Sequence, residues 1–243
     1  MRYFGLIGKS LSHSFSQKFF TAKFAADGIE ACYDLLEIDS ISKIDRLIAE
    51  KQLSGFNVTI PYKESIIPYL DDLSDEAREV GAVNCVVIKD ARKVGYNTDV
   101  DGIRLSLDKL LGEEKVSAAL ILGTGGASQA VQYVLRERGI DYKVVSREKD
   151  KAALTYDDLD QDVMAVHRLI INASPVGMYP ACDNCPDIPY AMLSGSHYLF
   201  DLVYNPLTTR FMELGAEQGA ATLSGIDMLY AQAESAWTIW YRD

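Results

Sequence analysis

Cysteine, basic residues and long apolar runs are all scarce in this sequence. The 243 residues include 4 cysteines, too few for the disulfide framework of a small secreted domain, so we expect a protein of the reducing cytoplasm. No apolar run approaches the length of a membrane span. The N-terminal stretch MRYFGLIGKS also lacks the apolar region of a secretory signal. We therefore expect no membrane association.

Positive charge is also in short supply. Lysine and arginine total 24 against 35 aspartates and glutamates, which gives a formal net charge of −11. This balance argues against a nucleic-acid partner, because phosphate binding needs a basic face. An anionic ligand must instead be held by a few local cations. The length allows one large domain or two small ones with ample core.

Residues 116–128, VSAALILGTGGAS, predict a strand, a glycine turn and a helix. Ala118–Leu122 is a short apolar run, and the apolar residues after the turn recur at helical spacing. A dinucleotide can place its pyrophosphate on the N-terminus of such a helix only where no side chain blocks the approach. The glycines that would leave this space are Gly123, Gly125 and Gly126. The third position of the usual pattern is Ser128, so the motif by itself is weak.

Strand-like and helical segments alternate along the rest of the chain, which predicts an α/β fold. The first part should form a mostly parallel sheet, with a hairpin of residues 83–88 and 94–96 at its edge. A helix is predicted over Lys63–Leu70. From residue 116 onward, short apolar strands separated by helix-length gaps predict a Rossmann-like, doubly wound sheet.

Polar residues that could carry chemistry follow the predicted strands of the first part. Residues 12–16, SHSFS, place hydroxyls at alternate positions, where Ser14 and Ser16 could bind a polyol or a carboxylate. Helix capping is the alternative explanation for these serines. Thr59 and Lys63 flank the end of a strand, where open α/β sheets bind ligands. Lys63 could move a proton there, or it could be an ordinary solvated lysine.

Two further clusters lie after later strands. Asn84 occurs in GAVN and Asp99 in GYNTD, and a carboxylate beside a lysine can hold a catalytic lysine and tune its charge. In the second part, residues 172–178 (NASPVGM) and 204–208 (YNPLT) share the predicted sheet edge with the glycine turn. A nicotinamide would lie at this edge. Turn formation is the alternative explanation for each of these segments.

Cys182 and Cys185 form a single CxxC pair in a predicted loop. A zinc ribbon needs two such pairs, and the chain has only 3 histidines to complete a site. We therefore predict no metal site here. The pair could form a disulfide under oxidation.

Taken in order, eight motifs closely resemble the shikimate dehydrogenase family. They are SHSFS, NVTIPYKE, GAVN, GYNTD, GTGGAS, NASPVGM, DLVYNPLTT and GIDMLYAQAESAW. The resemblance spans nearly the whole chain, from Phe4 to Trp240. The resemblance implies a substrate-binding domain of residues 1–99 plus 225–243 and an NADP-binding domain of residues 100–224. It also implies reversible NADP-dependent reduction of 3-dehydroshikimate to shikimate, by a monomer or a homodimer.

The same resemblance assigns roles to individual residues. Lys63 and Asp99 match the family's catalytic pair, and Ser14 and Ser16 match its carboxylate-binding serines. The other predicted substrate-binding residues are Thr59, Asn84, Tyr204 and Gln232. The predicted cofactor-binding residues are Gly123, Gly125, Gly126, Ala127, Ser128, Ser146, Arg147, Ala173, Ser174, Val203, Gly225 and Met228.

Cofactor choice depends on the segment after the second strand of the nucleotide-binding part. That strand ends at Ser146, which has no charge to repel a 2′-phosphate, and Arg147 could grip such a phosphate through two parallel hydrogen bonds. Glu148 would oppose binding if it faced the phosphate. The family has Asn-Arg-Thr here, and it has Ala where this chain has Thr124. We predict NADP as the cofactor, with NAD as the alternative.

Two other functions stay open at this stage. One is an NAD-dependent quinate/shikimate dehydrogenase. The other is a non-catalytic nucleotide-binding protein on the same fold, which the presence of both Lys63 and Asp99 argues against.

Overall fold

The computed structural model of the protein describes residues 1–11 and 14–241, and they form two compact units. The first unit comprises residues 1–98 together with the segment from residue 233 onward, and the second comprises residues 99–232. Residues 225–232, which the sequence assigned to the substrate-binding domain, therefore pack in the second unit. Within the described residues, no helix combines the length and the apolar character needed to cross a bilayer.

The first unit is built on a mixed sheet. In chain order it contains β1 (Arg2–Gly8), α1 (Phe15–Ala26), β2 (Ala31–Glu37), α2 (Ile44–Lys51), β3 (Leu53–Val58), β4 (Asp72–Leu73), α3 (Asp75–Val80), β5 (Cys85–Lys89) and β6 (Arg92–Tyr96). The strand order is β2-β1-β3-β5-β6-β4. As predicted, β1 pairs in parallel with β2 and β3, and β5 and β6 form an antiparallel hairpin. The hairpin does not form the edge, because the short β4 pairs outside β6.

The helix predicted over Lys63–Leu70 is wrong. The chain makes turns there, and only Ile67–Tyr69 form a short 3₁₀ helix. Pro68 explains the difference, since proline lacks an N–H and fits only in the first turn of a helix. A regular helix therefore cannot run from Lys63 through Pro68. The apolar side chains of this segment still pack into the core, where Ile66 is fully buried.

The second unit has the predicted doubly wound sheet. It contains α4 (Asp99–Leu111), β7 (Ala118–Leu122), α5 (Gly126–Glu137), β8 (Asp141–Ser146), β9 (Leu154–Thr155), α6 (Gln161–Val166), β10 (Leu169–Asn172), β11 (Tyr198–Asp201), α7 (Arg210–Glu217) and β12 (Ala221–Ser224). The strand order is β12-β11-β10-β7-β8-β9, and each neighbouring pair is parallel. The order reverses between β7 and β10. Open α/β sheets bind ligands outside the carboxyl ends of the strands at such a reversal.

The last helix, α8 (Ile226–Tyr241), begins in the second unit, and its residues from 233 onward belong to the first. The sequence of this helix predicts an apolar stripe of Leu229, Ala233, Ala236, Trp237 and Trp240. Ala233, Ala236 and Trp240 are buried as this stripe predicts. The Trp240 ring lies 4.6 Å from the Phe4 ring, centroid to centroid, and its Nε1 donates to the Val86 carbonyl at 3.0 Å. The C-terminal half of α8 therefore completes the core of the first unit.

Candidate active site

In the first unit, Thr59 and Lys63 lie in the turn that follows β3. The Thr59 amide donates to the Ile7 carbonyl at 2.9 Å, which holds this turn beside the end of β1. The Lys63 carbonyl accepts from the Val83 amide at 2.7 Å. Both side chains are half-buried. Thr59 and Lys63 therefore lie at the carboxyl edge of the parallel strands, as the sequence predicts.

Ser14 and Ser16 lie at the start of α1. Ser14 is the N-cap residue, yet its side chain makes no capping hydrogen bond, so helix capping does not account for it. Its Oγ is buried and has no hydrogen-bond partner among the described residues. A buried hydroxyl of this kind is well suited to a polar ligand group, because leaving it unpaired is costly. Ser12 and His13 of the same motif lie outside the described residues.

Ser16 is connected to Asn84 by a buried hydrogen-bonded series that sequence reasoning missed. The Ser16 side chain hydrogen-bonds to the Tyr33 hydroxyl, which donates to Asn57 Oδ1 at 2.8 Å. Asn57 Nδ2 donates to the Asn84 carbonyl at 3.1 Å. Burial raises the pKa of Tyr33 well above its ordinary value, against the effect of the Ser16 hydrogen bond. Tyr33 therefore stays a neutral donor that ties α1 to the strand ends.

Asn84 precedes β5, and its side chain fixes the segment that leads to Asp99. Asn84 Oδ1 accepts from the Thr98 amide at 2.7 Å and from the Thr98 hydroxyl at 3.2 Å. Asp99 follows directly as the first residue of α4 and is buried, with an exposed fraction of 5%. Its carboxylate therefore lies at a helix N-terminus, a position that favours negative charge.

Three other predicted residues belong to the second unit. Gln232 lies on α8, where its Nε2 donates to the Leu229 carbonyl at 3.1 Å, and Met228 is buried on the same helix. Tyr204 follows β11 and is half-buried. Burial raises the pKa of the Tyr204 hydroxyl, so it remains a hydrogen-bond donor at neutral pH.

The glycine turn between β7 and α5 has the geometry that an anion needs. Gly123 has a φ of +115°, and a Cβ there would lie 3.1 Å from the Ala173 carbonyl oxygen, so only glycine fits. Gly125 is the N-cap of α5, makes no side-chain cap, and no acidic residue lies in the first turn. A Cβ on Gly125 would meet no described atom within 4 Å. The first amide N–H groups of α5 have no intrahelical acceptor and can bind a pyrophosphate.

The residues at and just after the end of β8 are those predicted to bind the ribose of the cofactor and its 2′-phosphate. Ser146 is buried at the strand end, and its hydroxyl accepts from the Glu148 amide at 3.1 Å. Arg147 is exposed. The Glu148 carboxylate lies 2.7 Å from Lys151 Nζ, so its charge is offset by a neighbouring cation. This pairing reduces the repulsion that Glu148 would exert on a phosphate near Arg147.

The turns after β10, β11 and β12 meet at the same carboxyl edge. The Ala173 amide donates to the Leu122 carbonyl at 3.0 Å, and the Gly225 amide donates to the Val203 carbonyl at 3.1 Å. At Gly225 a Cβ would collide with the Leu202 carbonyl, so this approach also requires glycine. Ala173 and Ser174 adjoin Gly123 at the strand reversal, and Val203 adjoins Gly225.

Comparisons with known proteins agree with this arrangement. A model of the shikimate dehydrogenase substrate binding domain matches residues 6–86. A relative from Clostridium beijerinckii, named shikimate dehydrogenase (NADP(+)), is 36% identical over 252 residues, covering 99% of this chain and 92% of the relative.

The chain belongs to the shikimate dehydrogenase family.

Solved structures of the family have the same fold. The crystal structure of shikimate dehydrogenase 1 from Peptoclostridium difficile is 39% identical, with a TM-score of 0.87 and coverage of 99% of this chain and 91% of that one. Quinate dehydrogenase from Corynebacterium glutamicum, in complex with NAD, is 27% identical, with a TM-score of 0.88 and coverage of 99% and 93%.

Sequence reasoning assigned no role to one polar residue at the second sheet edge, although it is the first residue of the motif DLVYNPLTT. Asp201, the last residue of β11, is fully buried and was not predicted to have a role. Burial raises the pKa of its carboxyl to about 6, while hydrogen bonds from Thr209, Val203 and Asn172 act in the opposite direction. The sequence did contain one signal for Asp201, which is a charged residue at the end of the apolar strand YLFD. Charged residues are seldom fully buried unless they have partners, so its position suggests a specific role.

Proposed function

We propose that this protein catalyses the reversible, NADP-dependent reduction of 3-dehydroshikimate to shikimate. The observation that carries the proposal is similarity over nearly the whole chain to a relative named shikimate dehydrogenase (NADP(+)). Lys63, Asp99 and the glycine turn are all present in the matched span. The buried Ser14 hydroxyl and the uncapped N-terminus of α5 support it, since each suits a polar or anionic group of these ligands.

Substrate binding is assigned to the residues that match the ligands of the family. Ser14 and Ser16 bind the carboxylate of shikimate through their hydroxyls. Thr59, Asn84 and Gln232 hydrogen-bond the ring hydroxyls, and Tyr204 donates near the carboxylate. Hydroxyl and amide groups suit a polyol, because each can donate and accept hydrogen bonds.

Proton transfer is assigned to Lys63. The nicotinamide cofactor supplies the hydride when it is bound. Negative charge develops on the former ketone oxygen during reduction, and Lys63 donates a proton to that oxygen or stabilises its charge. Asp99 orients the lysine and the reacting hydroxyl. In the reverse direction the same pair removes the hydroxyl proton.

Cofactor binding is assigned to the carboxyl edge of the second sheet. Gly123, Gly125 and Gly126 would leave room for the pyrophosphate, and Ala127 and Ser128, in the first turn of α5, would help to hold it. Ser146 and Arg147 bind the adenosine ribose and its 2′-phosphate. Ala173, Ser174, Val203, Gly225 and Met228 line the nicotinamide end. These residues supply the local positive potential and the close approach that an anionic cofactor needs in an acidic chain.

One observation favours a second candidate, an NAD-dependent quinate/shikimate dehydrogenase. Glu148 lies just after β8, near where NAD-binding units use an acidic residue to hold the ribose hydroxyls. Its ion pair with Lys151 argues for the first candidate, because the paired carboxylate is partly neutralised.

Initial rates of the pure protein on shikimate and quinate, each with NADP and NAD, decide between the candidates. We expect the highest kcat/KM for shikimate with NADP. A higher kcat/KM for quinate with NAD would establish the second candidate. Absence of turnover in all four reactions would reject both and leave a non-catalytic nucleotide-binding protein.

A further inference from the structure

Asp201 is a fully buried carboxylate that the proposed chemistry does not use. A buried charge is costly unless hydrogen bonds satisfy it, and three donors converge on this one. Asn172 Nδ2 and the Val203 amide donate to Oδ1 at 2.9 Å and 3.0 Å, and the Thr209 hydroxyl donates to Oδ2 at 2.5 Å. The donors come from three different segments at the carboxyl edge of the second sheet.

The Asn172 side chain connects Asp201 to the turn after β10 through hydrogen bonds to both. Its Oδ1 accepts from the Ser174 amide at 3.1 Å and from the Ser174 hydroxyl at 2.6 Å. Its Nδ2 also donates to the Val176 carbonyl at 3.1 Å. Asp201 accepts only from the amino side of this amide, so it fixes which end of Asn172 faces Ser174.

Val203 connects Asp201 to the segment before α8. Its amide donates to Asp201, and its carbonyl accepts from the Gly225 amide at 3.1 Å, just before α8. The backbone between β11 and α8 is therefore fixed by the same carboxylate. Ala173 and Ser174 on one side, and Val203 and Gly225 on the other, are the residues assigned to the nicotinamide end of the cofactor.

We propose that Asp201 is a positioning residue for the nicotinamide cofactor, holding residues 172–176 and 202–203 in the arrangement that accepts it. The inference rests on the proposed function for the identity of the cofactor. Asp201 acts through Asn172 and Val203 and does not itself touch the cofactor. A purely structural carboxylate would affect folding stability and leave cofactor affinity unchanged.

The test is direct binding of NADPH, followed by its fluorescence, to the wild-type protein and to Asp201→Ala and Asp201→Asn. Removing the acceptor leaves the Val203 N–H and one N–H of the Asn172 side chain without their partner, so the Kd of Asp201→Ala for NADPH should rise roughly tenfold or more. Its KM for shikimate should change by less than about twofold. Asp201→Asn should restore most of the affinity, because its amide oxygen still accepts from both groups and its NH₂ can donate to Thr209.

Leu199→Val is the matched control, since Leu199 is buried two residues earlier in β11. It should lower the melting temperature of the second unit and leave the Kd for NADPH unchanged. A folded Asp201→Ala protein with the wild-type Kd overturns the inference. If Asp201→Ala does not fold, Thr209→Val replaces it, with weaker NADPH binding expected and an unchanged Kd overturning the inference.

Failure of the inference and failure of the proposed function give different results. NADPH binding is measured without substrate, so it tests Asp201 independently of turnover. Wild-type turnover of shikimate with NADP, alongside an unchanged Kd in Asp201→Ala, would reject the inference alone. Loss of NADPH affinity in Asp201→Ala without any wild-type turnover would support the positioning role and reject the reaction.

Discussion

The pH dependence of folding stability should carry the signature of Asp201. Burial raises the pKa of its carboxyl from an ordinary value of 3.8 to about 6. Between these two pH values the folded protein keeps a proton that the unfolded chain has lost, so stability falls as the pH rises. Each pH unit well inside this interval is worth ~1.36 kcal/mol, so the loss between about pH 4 and pH 7 is about 2 kcal/mol.

Asp201→Asn isolates this effect, because asparagine has a similar shape and does not titrate. Every other titratable group, including the neighbouring Tyr190, is common to both proteins. The free energy of unfolding of the wild type minus that of the variant should therefore fall by about 2 kcal/mol from about pH 4 to pH 7.

Urea unfolding followed by far-ultraviolet circular dichroism at several pH values measures this difference. Both tryptophans, Trp237 and Trp240, belong to the first unit. Their fluorescence therefore monitors the first unit, whereas the circular dichroism reports the helices and strands of both units. A wild-type minus variant difference that is constant with pH, or that rises with pH, would refute the reasoning.

Three other substitutions test the assigned roles. Lys63→Ala should lower kcat by at least ~100-fold, as expected for loss of a general acid, and initial rates near the wild-type value would remove Lys63 from the chemistry. Ser14→Ala should raise the KM for shikimate about tenfold or more, because it removes a hydrogen bond to a carboxylate worth ~1.5–3 kcal/mol; an unchanged KM would contradict the assignment. Arg147→Ala should lower kcat/KM for NADP about tenfold and leave that for NAD within about twofold, with Glu148→Gln as the control that removes the neighbouring charge. An NADP efficiency untouched by the first change would show that Arg147 does not bind the 2′-phosphate.

The sequence was most informative where local chemistry determines local structure. Ala118–Leu122 was predicted as a strand with the bounds that the structure shows. The helix after it was also predicted, because its apolar spacing and glycine turn depend on neighbouring residues. The hydrophobic stripe of α8 was visible for the same reason. Motif order then indicated the family, and the comparisons confirm it.

Other features depend on contacts between distant residues and could not be predicted from local patterns. Asn57 and Tyr33 are 24 positions apart, and Asn172 and Asp201 are 29 apart. Their hydrogen bonds exist only because parallel strands bring these residues together. The failed helix over Lys63–Leu70 had a different cause, since its apolar residues follow helical spacing while Pro68 prevents the helix.

Deuterium transfer tests the central claim most directly. The pure protein is incubated with 3-dehydroshikimate and with NADPH that carries deuterium at the transferable position of the nicotinamide, and the product is identified by nuclear magnetic resonance. The account predicts shikimate with deuterium on the carbon that was the ketone, formed in proportion to the NADPH consumed. A protein that binds NADPH but forms no labelled shikimate would contradict it.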